Sequence, residues 1–134
     1  MYLTEKRISM NKNRPVNLDL KTIKFPPTAI ASILHRIAGV VIFLLLPFIL
    51  CELECSLQPH PTHFYSMNQS FFSTLLLFGF FSAFTYHLLA GIRHLLMDMG
   101  FGDTYEKGKI TAYIVIILSL IISIFIGLSL WQIM

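Results

Sequence analysis

Three long apolar runs, at about residues 29–50, 71–92 and 110–132, alternate with polar stretches along the chain. Each is near the ~20 residues that a helix needs to cross a bilayer core. The pattern predicts an all-α, integral membrane three-helix bundle. Its parts are an N-terminal segment (1–28), a first span (29–50), an outer loop (51–70), a second span (71–97), an inner loop (98–109) and a third span (110–134). Composition agrees: 55% of residues are hydrophobic and 13% charged, with a mean hydropathy of +0.70. That is too apolar for an ordinary small soluble domain. The net charge of +3 comes from where Lys and Arg stand and gives no reason to invoke nucleic acid.

Their placement predicts orientation. Residues 1–28 hold Lys6, Arg7, Lys12, Arg14, Lys21 and Lys24, and the inner connection holds Arg93, Lys107 and Lys109. The 51–70 loop has no Lys or Arg and instead carries Glu52 and Glu54. The positive-inside rule then puts the N-terminus and the second connection in the cytoplasm and the C-terminus outside. The first apolar run starts late, is of full length and lacks a small-residue cleavage site, so no signal peptide is expected.

The polar groups within the spans change the picture most. Ser32, His35 and Arg36 stand near the start of the first span, and Ser32, Arg36 and Gly39 share roughly one of its faces. Polar residues in a span require a partner, a ligand or water, although an Arg near a helix end can also snorkel to the interface. The second span carries Ala83, Tyr86, His87, Ala90, Gly91, Arg93, His94 and Asp98 toward its inner end. His87 and His94 are two turns apart on nearly one face, about 10 Å along the axis at 1.5 Å per residue, too far for both to bind one metal ion. His94 and Asp98 share a face at i, i+4 and form either a proton path or an interfacial pair. Because the first two helices run in opposite directions, residues 32–36 and 87–94 should meet at similar depth on the cytoplasmic side.

Elsewhere the polar residues say less. Residues 14–20 alternate apolar and polar as an extended segment, Thr28 is a candidate helix cap, and Pro47 is a candidate kink. Ser119, Ser123 and Gly127 make a small-residue ladder on the third span, most simply a packing face. Tyr113 and Trp131 stand where aromatic belts sit. Cys51 and Cys55, with His60 and His63 in the outer loop, read as filler and solvated loop residues; a local disulfide or a metal contact is the alternative.

An imidazole in an apolar bundle suits haem iron as an axial ligand, and His87, with small residues beside it, is the candidate. The other readings of His87 are a hydrogen-bonded packing residue and part of a proton path. His35 and Arg36 would suit haem propionates. Ser32 and Arg36, about 6 Å apart along the helix axis, would suit a quinone. Its carbonyls accept hydrogen bonds, and its reduction places negative charge where a guanidinium stabilises it. For Ser32, a hydroxyl bonded back to its own helix is the plain alternative.

Three stretches carry a resemblance: Arg14-Pro15-Val16-Asn17-Leu18-Asp19-Leu20, the block from Thr28 to Val40 containing Ser32-Ile33-Leu34-His35-Arg36, and Tyr86-His87-Leu88-Leu89-Ala90-Gly91-Ile92-Arg93-His94-Leu95-Leu96-Met97-Asp98. Together they resemble the cytochrome b556 membrane-anchor subunits of bacterial succinate dehydrogenases, in order and spacing over about residues 14–109. Pro26-Pro27 and Ala38 are small local departures. The resemblance implies half of a two-subunit anchor that binds one haem b, together with a second anchor subunit, an iron-sulfur subunit and a flavoprotein subunit, in the bacterial inner membrane. It implies His87 as the axial haem ligand, Ser32 and Arg36 at the ubiquinone site, and His35 with Arg36 on the propionate side. On that reading the chain is not an enzyme by itself but an electron-transfer and quinone-binding subunit. The alternatives are a fumarate reductase anchor and a non-redox membrane subunit.

Overall fold

The computed structural model describes residues 25–57, 71–102 and 104–133, leaving aside the side chains of residues 55, 56 and 133. The N-terminal extended segment, His60 and His63 lie outside the described residues, as does the Cys55 side chain; Cys51 is a free, exposed thiol. Three helices make up the described structure: α1 (Pro27–Leu57), α2 (Phe71–Asp98) and α3 (Tyr105–Ile133). All three are long and apolar enough to cross a membrane, and no strand occurs among the described residues. The chain is thus an all-α bundle of membrane-spanning helices.

The helices overhang the apolar runs that announce them. Hydropathy marks where side chains are greasy, whereas a helix continues until its backbone is turned aside. Thus α1 runs through Pro47 and the acidic Glu52 and Glu54 to Leu57. Pro27 opens α1 at a position where its missing N–H is no loss. The carbonyl of Pro26 accepts from the Ala29 and Ile30 amides at 2.9 and 3.2 Å. Thr28, the expected cap, lies inside the first turn instead, because the proline pair starts the helix earlier. At the far end of α2, Gly100 takes φ 85°. The Gly100 and Phe101 amides bond the Met97 and Leu96 carbonyls, both at 2.9 Å. This pair of reversed bonds closes a helix through a left-handed residue, where glycine carries no Cβ penalty. Gly102, also at positive φ, completes a short turn, and the Thr104 carbonyl accepts from Gly108 as α3 begins.

α2 is the central element, packed against both α1 and α3, which touch each other less. Small residues make the seams: the buried apolar positions are Ala31, Ala38, Ala90, Ala112 and Val115. Leu, Ile and Phe side chains such as Phe43, Leu44, Leu120, Ile124 and Phe125 point outward. Lipid tails are as apolar as Leu, so association in a bilayer comes from close backbone approach rather than from hiding large side chains. Tyr113 and Trp131 are exposed near the two ends of α3.

The candidate haem and quinone site

The described histidines, His35, His87 and His94, meet in the α1–α2 seam, toward the start of α1 and the end of α2. With about 100° per residue, α1 turns Ala31, His35, Ala38 and Gly39 toward α2. Ala31 and Ala38 are buried. The imidazoles of His35 and His87 stack with centroids 4.1 Å apart and planes 18° from parallel. The His94 ring flanks His35 on its other side at 5.3 Å, tilted by 50°. His35 therefore fills the gap of two turns between His87 and His94, forming a three-ring ladder along the seam.

His87 is held from two directions. One of its ring nitrogens, Nδ1, lies 3.1 Å from the His35 carbonyl. A carbonyl only accepts, so Nδ1 carries the proton, which leaves Nε2 with the free lone pair. The other constraint is Gly39. A Cβ built there would stand 3.0 Å from His87 Cε1 and 3.3 Å from Nδ1. One residue before His87, the Tyr86 hydroxyl donates to the Ala31 carbonyl at 3.0 Å, tying α2 to the preceding turn of α1. Gly91 lets α2 approach on the other side, its absent Cβ facing His35 Nε2 at 3.5 Å. That nitrogen is buried and has no hydrogen-bond partner among the described residues.

Ser32 and Arg36 occupy a flank of α1, about 60° and about 100° round from His35. Ser32 is half-buried and Arg36 is exposed. They lie one turn apart beside the histidine ladder, while Gly39, expected to share their face, stands with His35 against His87. Asp98 is exposed at the end of α2, one turn beyond the half-buried His94.

Arg93 departs from expectation. Counted by sequence with the cytoplasmic connection, it belongs to α2 and is only 5% exposed. Its Nε donates to Thr111 Oγ1 at 3.1 Å and its Nη2 to the Gly108 carbonyl at 3.0 Å. It thereby staples α2 to the first turns of α3. A run of small and apolar neighbours around it gave no sign of this, because sequence fixes the helical phase but not which side of α2 meets α3.

The sequence model of the family described as the succinate dehydrogenase/fumarate reductase transmembrane subunit matches residues 10–126. The chain belongs to this family. Among curated relatives, the succinate dehydrogenase cytochrome b556 subunit of Coxiella burnetii is 41% identical over 126 residues, covering 91% of this chain and all of that protein. The cytochrome b560 subunit of Reclinomonas americana is 38% identical, with 81% of each chain covered. The cytochrome b556 subunit of Paracoccus denitrificans is 30% identical over 84% of this chain and 88% of its own. The family match covers α1 and α2 whole and α3 as far as residue 126, so the histidine ladder, its flank and the α3 staple all lie within it.

Proposed function

We propose that this chain is the membrane-anchoring cytochrome b subunit of a bacterial succinate dehydrogenase, seated in the inner membrane with its N-terminus cytoplasmic. With a second anchor subunit it binds haem b. With that subunit and the iron-sulfur subunit it forms the site where ubiquinone is reduced, using electrons that the flavoprotein subunit takes from succinate. The observation that carries the reading is the His87 Nδ1 contact with the His35 carbonyl. Metal-bound histidines typically donate their other ring N–H to such an acceptor, which fixes the tautomer and raises ligand basicity.

The residues present fit a haem. His87 offers a lone pair at Nε2 and would hold the haem iron together with a ligand from the second anchor. His35 holds a buried Nε2 without a hydrogen-bond partner among the described residues, which a propionate oxygen would satisfy, and Arg36 supplies the cation beside it. When bound, the haem supplies a one-electron redox centre whose potential follows its ligands and surroundings.

The chain's own groups bind and orient the quinone. Ser32 and Arg36 offer a hydroxyl and a guanidinium one turn apart on the exposed flank of α1. A quinone carbonyl accepts from both, and the guanidinium stabilises the negative charge that reduction brings. His94 and the exposed Asp98 mark the route by which protons enter from the cytoplasmic side.

The test is a dithionite-reduced minus oxidised spectrum of the complex purified through a tag on this chain, beside the same complex carrying His87→Ala. Sharp b-type bands that vanish or shift in the variant support the reading. Absence of such bands from an intact wild-type complex removes it. For the quinone site, Arg36→Leu should abolish quinone reduction while succinate oxidation with an artificial acceptor persists. Full quinone reduction by Arg36→Leu would take Arg36 out of the site.

A further inference from the structure

The seat of His87 points to a residue with no polar chemistry of its own. We infer that Gly39 is a positioning residue for His87: the bare backbone of α1 at this point sets the angle of the imidazole. The inference rests on the haem reading above and deepens it.

Three observations converge on one turn of α1. A Cβ at residue 39 would meet the His87 ring at 3.0 Å, tighter than most side-chain carbons stand, and its three nearest contacts are all atoms of that ring. The ring is not the free end of a flexible side chain. It is pinned by the Nδ1 contact to the His35 carbonyl at 3.1 Å and by stacking on the His35 ring at 4.1 Å. Helical geometry pairs that same carbonyl with the amide of residue 39, four residues on. A carbonyl oxygen has two lone pairs, so the amide of Gly39 and Nδ1 of His87 share one acceptor. Any group added at residue 39 therefore presses on the ring at the place where the ring is hydrogen-bonded. Relief requires His87 to rotate away from the His35 carbonyl or α1 to move from α2. Either changes the direction in which the Nε2 lone pair points.

Gly79 supplies the comparison. It lies on α2, yet a Cβ there would meet only Leu45 Cδ1, at an ordinary 3.6 Å. An alanine at either site raises helix propensity equally, so a difference between the two variants reports the ring and not the helix.

The experiment uses the whole complex, purified through a tag on this chain, in four forms: wild type, Gly39→Ala, Gly79→Ala and His87→Ala. Haem content, the position of the reduced b-type band and the g-values of the ferric haem by electron paramagnetic resonance are read for each. The expected result is that Gly39→Ala loses haem, or keeps it with a displaced band and altered g-values, while Gly79→Ala matches the wild type in all three. Gly39→Ala with wild-type haem content, band and g-values overturns the inference, as does an equal change in Gly79→Ala. If Gly39→Ala fails to assemble, the double variant Gly39→Ala/His87→Ala decides. Recovery of assembly once the ring is gone supports the inference, and no recovery overturns it. A wild-type complex without b-type bands, or His87→Ala with unaltered bands, is the separate failure of the haem reading.

Discussion

Two glycines each receive a ring from α2, one on either side of it. On the α1 side Gly39 faces His87, and on the α3 side a Cβ at Gly127 would stand 3.2 Å from Phe78 Cε2. As packing the two are nearly the same: a missing Cβ lets an aromatic edge approach the neighbouring backbone. They differ in what the ring demands. Phe78 needs only contact. An imidazole in the same position brings two nitrogens, and among the described residues only Nδ1 has a hydrogen-bond partner, the His35 carbonyl. Close packing of a ring is thus no sign of a site by itself. A ring packed closely with one polar atom fixed and the other left over is one.

The polar links differ in the same sense. On the α3 side Arg93 has donors on Thr111 and Gly108, and the contacts close on themselves. Its removal should have the largest effect on stability. Hydrogen bonds from charged donors are worth roughly 1.5–3 kcal/mol each in soluble proteins, and less in bilayers, while losing a buried charge offsets part of the cost. Arg93→Leu should therefore destabilise the detergent-solubilised complex by on the order of 2 kcal/mol, read as a fall in its thermal midpoint. Arg93→Lys should fall between the two, since it keeps the charge but not the planar fork. Wild-type stability in Arg93→Leu would make the staple idle and erase this side of the comparison.

A smaller effect is expected at Gly127. An added methyl pressing on a ring costs typically ~1 kcal/mol or somewhat more, so Gly127→Ala should lower the thermal midpoint modestly while the b-type spectrum stays as in the wild type. Adding Phe78→Leu should restore the midpoint by removing the ring's edge, a non-additivity expected of residues in contact. A spectral change in Gly127→Ala would show that the two seams are coupled through α2.

How far the sequence told these seams apart follows from what a helical pattern carries. The three spans are legible because apolar runs of bilayer length admit few other structures. The meeting of residues 32–36 with 87–94 is legible because antiparallel spans of similar length, joined at one end, must match depths at the other. What the pattern lacks is azimuth. Gly39 could be phased with Arg36 or with His35, and only the packed structure puts it with His35 against His87. Arg93 illustrates the same gap, reading as one more basic residue at the cytoplasmic end although it is buried against α3. The Pro26-Pro27 pair displaced the expected Thr28 cap because a carbonyl ahead of a proline at N1 starts a helix without help from a hydroxyl.

The smallest effect, and the one that sharpens the contrast most finely, is expected at Tyr86. Its hydroxyl donates to the Ala31 carbonyl at 3.0 Å, one turn of α1 before the carbonyl that holds His87. Ala31 already accepts within its own helix, so removing the hydroxyl strands no acceptor. Interhelical hydrogen bonds in a bilayer average about 0.6 kcal/mol, and Tyr86→Phe keeps the ring and its packing. The thermal midpoint of Tyr86→Phe should thus drop only slightly, by less than that of Gly127→Ala. The haem signature should also hold, because the constraints on His87 come from Gly39 and the His35 carbonyl and not from the neighbouring hydroxyl. A clear displacement of the ferric g-values in Tyr86→Phe would mean that His87 is steered by the whole turn of α1 from Ala31 to His35, and the seat would then be wider than the two residues that touch the ring.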